Sequence, residues 1–101
     1  MTYLNTRNDQ LTIGTTNVNV SKAPHGNKRK SIMLTNTSAG AQVITIGKGD
    51  IGATAGRGLI LAVGQSYIES TSEGFQCYQG PIQGISDVAG ALLSIQEEFI
   101  Q

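Results

Sequence analysis

Apolar residues recur at alternate positions in short runs along this chain, and small polar residues and glycine separate the runs. That period of two is the mark of half-buried β-strands. Leu11 and Ile13 form the first such pair, then Val18 and Val20 resume on even positions. The alternation slips between them, which predicts a bulge or turn near residues 14–17. Residues 23–27, with Pro24, Gly26 and Asn27, read as a loop. Ile32 and Leu34 mark the clearest strand, over residues 31–36. A turn at residues 36–40 leads to a second strand over 42–47, and the pair predicts a hairpin. Residues 48–58 hold four glycines and no period, so they read as a long loop. Further strands are expected at 59–63, 67–69, 75–78, 82–85 and 91–95. Glu97 shares the parity of Leu93 and Ile95, so it continues the last strand with its side chain beyond the core rim.

Seven to nine short strands at this spacing predict an all-β fold, an antiparallel β-sandwich of jelly-roll or immunoglobulin-like Greek-key type. Its expected core is Ile32, Leu34, Leu59, Leu61, Leu93 and Ile95. Thirteen glycines spread through the chain argue against helices. Residues 1–10 are polar and aperiodic apart from Tyr3 and Leu4. The expected division is therefore an extended N-terminal arm or peripheral strand over 1–27 and a sandwich domain over 28–101.

The 101 residues suffice for one domain. Only 14% are charged, against a usual figure of about 25%. Such a neutral, small-polar surface suits a domain partly covered by neighbours. The charges that exist are polarised along the sequence. All seven bases lie in the first 57 residues with Asp9 and Asp50, giving 7 − 2 = +5, and the remaining five acids give −5. If the fold keeps these halves apart, copies attract one another head to tail.

Chemistry-bearing patterns are few. Residues 47–52 spell Gly-x-Gly-x-x-Gly, and Glu69 stands about 20 residues on, but a dinucleotide site needs a helix opening there and a strand follows instead. A single cysteine, Cys77, excludes an internal disulfide, and a single histidine, His25, excludes a two-histidine metal set. Cys77 reads as a buried or half-buried structural thiol. No acid–base constellation, cofactor motif or metal spacing is found. The N-terminus lacks the apolar run of a signal peptide, and no stretch is long enough to span a bilayer. The basic run Lys28-Arg29-Lys30 reads either as a charged loop that keeps a strand end soluble or as a contact for an acidic protein surface, and it is the strongest candidate contact in the chain. Zero net charge and five scattered aromatics speak against nucleic acid. Glu97-Glu98 reads as a solvated pair or as the acceptor for a neighbour's basic loop. Phe99 and Ile100 complete the core or dock on an adjacent subunit.

The order of elements carries a resemblance. Basic residues lead into Lys30-Ser31-Ile32-Met33-Leu34-Thr35-Asn36, followed by Val43–Ile46, a Gly-rich loop, Gly58-Leu59-Ile60-Leu61-Ala62-Val63 and Gly80-Pro81-Ile82-Gln83-Gly84-Ile85. Leu92-Leu93-Ser94-Ile95-Gln96-Glu97 closes it. Over roughly residues 28–97 this resembles the small β-sandwich domain of bacteriophage virion proteins: capsid decoration or cement proteins and head-fibre or spike bases. The resemblance implies a non-enzymatic structural component of a phage particle that binds and stabilises the shell. The alternative is a fibre or spike module that binds a host glycan or protein. The implied location is the virion, after synthesis in the host cytoplasm. The implied partners are the major capsid protein, other virion proteins and further copies of the chain, without nucleic acid, membrane or cofactor. Lys28, Arg29, Lys30, Tyr3 and Leu4 are the candidate contact residues.

Overall fold

The computed structural model describes residues 4–22, 28–49 and 52–100. Eight strands follow one another: β1 (Leu4–Ile13), β2 (Val18–Ser21), β3 (Lys28–Asn36), β4 (Ile44–Lys48), β5 (Leu59–Leu61), β6 (Ser66–Ser70), β7 (Ile82–Ser86) and β8 (Ala91–Ile100). They form two antiparallel four-stranded sheets, ordered β1-β8-β3-β6 and β2-β7-β4-β5. The expected antiparallel β-sandwich is therefore present, and its strand order is that of a jelly roll. Each strand of the first half pairs with its mirror image in the second half: β1 with β8, β2 with β7, β3 with β6 and β4 with β5.

Ile32, Leu34, Leu93 and Ile95 line the inner face of the first sheet, and Ile44, Ile46, Leu61 and Ile82 that of the second. Five of the six expected core residues are buried. Leu59, on the short edge strand β5, is partly buried against them. The second sheet also needs a small residue. A Cβ on Gly84 would stand 2.9 Å from Val20 Cγ2, so the glycine lets Val20 close over β7.

Four local expectations change. Of the expected arm or peripheral strand, the first described part is a strand at the edge of the first sheet and not an extended arm. Residues 4–13 pair with β8 along their whole length, and Ile13 and Val20 enter the core. The slip near residues 14–17 is the chain crossing from the first sheet to the second, and the bulge lies further on, between Asn19 and Ser21. β3 and β4 make no hairpin, because they lie in different sheets. Thr37 donates its amide to Leu92 O instead, and the buried Asn36 amide donates to Gln42 O and Leu61 O, which pins the crossover. Residues 75–78 are not a strand. Only a Ser72–Phe75 bridge forms there, and from this segment Cys77 enters the core with Tyr78 packed against it.

Candidate functional site

A single row across the first sheet reads Arg7, Glu97, Ile32, Glu69 in register. Its counterpart in the second sheet reads Ser21, Ile82, Lys48. The registers thus place a polar layer between the sheets at the end where β1 and β3 begin and β8 stops. Arg7, Arg29 and Lys48 bring three cations into this layer.

Two bulges aim the side chains. In β3, Arg29 opposes Phe99 and Ser31 opposes Glu98, leaving Lys30 as the extra residue. The parity shift turns Arg29 inward beside Ile32, although their sequence positions differ by an odd number. In β2, Val20 is the extra residue, so both Val20 and Ser21 point inward. Arg29 and Glu97 then meet with both side chains fully enclosed, Nε to Oε2 at 2.9 Å. All five donors of the guanidinium find acceptors: Glu97, Ser21 Oγ at 2.8 Å, Lys22 O at 3.1 Å, Gly80 O at 3.0 Å and Tyr78 O. Glu97 also accepts from Arg7 at 2.6 Å and from Ser21 Oγ at 2.7 Å. A buried charge is tolerated only with such saturation.

Lys48 forms a second bridge between the sheets. It pairs with Glu69, donates to Tyr67 Oη at 2.9 Å, and lies 5.2 Å and 5.4 Å from the ring centres of Tyr67 and Tyr78. Tyr67 Oη donates to Glu69, and the Tyr78 amide donates to Glu69 Oε1 at 2.9 Å. Burial alone would raise the Glu69 carboxyl. The hydrogen bonds from Lys48, Tyr67 and Tyr78 outweigh it and hold the pKa below the ordinary value. Burial and Glu69 push the Tyr67 hydroxyl up. Burial, helped by Glu69, also pushes up the thiol of Cys77, which is 1% exposed. Cys77 is thus held as a neutral thiol, the opposite of an activated nucleophile.

Beside this bridge a cleft of about 520 Å³ opens where β4, the 52–58 loop and β6 meet. The loop folds back over β4, where Gly56 N donates to the hydroxyl of Thr45, and leaves Thr45 only 2% exposed. Gly58, at φ +128°, makes that return feasible, since a Cβ there would stand 2.6 Å from Ile46 O. The glycine pattern at residues 47–52 thus begins within β4, and the 52–58 loop leads into strand β5 rather than into a helix.

The expected contact residues separate. Arg29 is 1% exposed and holds its own chain together, so it is corrected from a surface contact to an interior ion pair. Its acidic match is Glu97 of the same chain, which is neither solvated nor beyond the core rim. Lys28 is exposed and Lys30 partly so. Leu4 pairs through its backbone with Ile100, and Tyr3 and His25 lie outside the described residues. Glu98 accepts from Ser31 Oγ at 2.8 Å. Among the described residues, no three His, Cys, Asp or Glu side chains gather as a metal site, and no helix is long and apolar enough to cross a membrane. The sequence reading missed the Lys48–Tyr67–Glu69 group. Its one available signal was the shared parity of Tyr67 and Glu69.

No protein-family model and no curated protein sequence matches the chain. Among solved structures it is similar to a chain described under "Bacillus endospore appendages form a novel family of disulfide-linked pili". The TM-score is 0.59 and the identity 16%, covering 98% of this chain and 85% of that one. At that identity the likeness is one of fold.

Proposed function

We propose that this chain is a non-enzymatic building block of a structure assembled from many copies. The likeness in fold to a chain of an appendage pilus, over nearly all of its residues, carries this reading. The sheet edges agree with it. β1 offers a ten-residue edge that no described strand covers, and an open edge of that length is a template for another chain. The linkage would differ from the disulfides named for the neighbour. The one cysteine within these 101 residues is enclosed, so contacts made by this domain are non-covalent.

The jelly-roll order favours a second, narrower reading. Jelly rolls recur in viral shells, and the resemblance to phage decoration proteins points to the same setting. In that reading the chain clamps a capsid in the virion, with the major capsid protein as partner. Both readings rest on many weak contacts summed over symmetric copies. Sedimentation velocity over a concentration series, with negative-stain microscopy, tests them. Regular filaments or rings from the purified chain support the first reading. A monomer that saturates phage particles supports the second. A monomer at every concentration, absent from particles, overturns both.

A further inference from the structure

The geometry points to the cleft between β4, the 52–58 loop and β6 as a binding site for a single acidic sugar residue, a monocarboxylate on a saccharide body. Ile46, Leu59 and Tyr67 give it an apolar and aromatic lining, and Lys48, Thr54 and Arg57 add two cations and a hydroxyl. A mostly apolar wall with a few convergent polar groups is the usual make-up of a small-ligand site. The volume, about 520 Å³, lies within the usual range of about 300–1,000 Å³ for such sites. A bare phosphate or sulfate would leave most of it unfilled.

The charge selects the ligand further. Lys48 is already matched by Glu69, which stands behind it and stays ionised. Among the described residues the cleft therefore offers the equivalent of one free positive charge, at the exposed Arg57. That suits one carboxylate and disfavours a polyanion. A guanidinium takes a carboxylate through two parallel hydrogen bonds, so Arg57 fixes the acid group while the sugar body lies toward Tyr67 and Leu59. Lys48 is held still by Glu69 and by the rings of Tyr67 and Tyr78, so this wall is formed before any ligand arrives.

Equilibrium dialysis of the full chain against radiolabelled glucuronate and N-acetylneuraminate tests the site and works whatever the state of assembly. At least one of the two sugars should be retained, and unlabelled glucose or inorganic phosphate at equal concentration should not displace it. Arg57→Glu should reduce retention at least about tenfold, the scale of one lost charge-assisted hydrogen bond. Arg57→Lys should keep part of it. Lys22→Glu, which makes the same charge change outside the cleft, should leave it unchanged. Both Arg57 and Lys22 are exposed, and retained circular dichroism shows that each variant is folded. Retention of neither sugar overturns the proposal. So does displacement by phosphate, equal loss in the Lys22 variant, or displacement by an acidic peptide but not by unlabelled sugar.

Discussion

Glu97 is where one residue decides most. It is fully enclosed and holds Arg7, Arg29 and Ser21. Glu97→Ala leaves the Arg29 guanidinium buried without its counter-ion and should cost about 3–5 kcal/mol in urea unfolding. Glu97→Gln should cost less, because the shape and some acceptors survive. The parity of Glu97 was readable from Leu93 and Ile95. Its burial was not, because the partner that makes burial tolerable is turned inward by a bulge, and bulges leave little trace in an alternation pattern. Glu69 sets the pH response. Its folded pKa lies below the ordinary 4.5, so the unfolded chain takes up the proton first. The stability from this group is present above pH 4.5 and is lost as pH falls through the folded value. Lys48 and Tyr67 are raised from 10.5 and 10.0, so their contribution is present below those values and lost as pH rises past them. Urea midpoints against pH should give a plateau with two falling limbs, and Glu69→Gln should flatten the acid limb.

At the level of elements, β1 alters what a truncation should do. The polar composition of residues 1–10 suggested a removable arm. Edge strands need alternation only on the face that meets the core, and Arg7 supplies that contact through Glu97 rather than through an apolar side chain. Deleting residues 1–10 should therefore lower the thermal midpoint by several degrees, beyond any effect on assembly. An unchanged midpoint would make β1 an independent arm after all. The strongest strands read correctly for the opposite reason, since Leu34, Leu93 and Ile95 repeat the apolar signal several times over. Leu34→Ala should cost about 2–5 kcal/mol, measured by the same urea unfolding. The false β3–β4 hairpin shows what periodicity omits: a five-residue turn fits a hairpin or a crossover equally well. The distant acceptors Leu61 O for Asn36 and Leu92 O for Thr37 decide between them, and these lie 25 and 55 residues away.

For the molecule as a whole, the charge dipole of the sequence is folded onto itself. Because early strands pair with late ones, Arg7 and Arg29 meet Glu97, and because the two sheets face each other, Lys48 of β4 meets Glu69 of β6. Much of the +5/−5 separation is spent inside one subunit rather than between copies. What remains for a partner includes the exposed Lys28 and the half-exposed Lys30. Reversing both to Glu should weaken assembly or particle binding most at low salt, because screening over about 10 Å at 0.1 M already dilutes the wild-type contact. Occupancy on particles, or sedimentation at two salt concentrations, reads this out. Arg29→Glu should instead fail to fold, which separates the interior base from its surface neighbours.

The mirror-image pairing of strands also governs time. Leu4 faces Ile100, and the central strand β8 joins β1 to β3. The first sheet thus cannot close until the most distant parts of the chain have found each other. During synthesis β1 and β3 emerge without the strand that lies between them, and their apolar faces wait for it. Such non-local topology slows folding, and refolding from urea should take milliseconds to seconds rather than microseconds. A subunit built this way completes its own sheet last, with the edges from which copies would be joined.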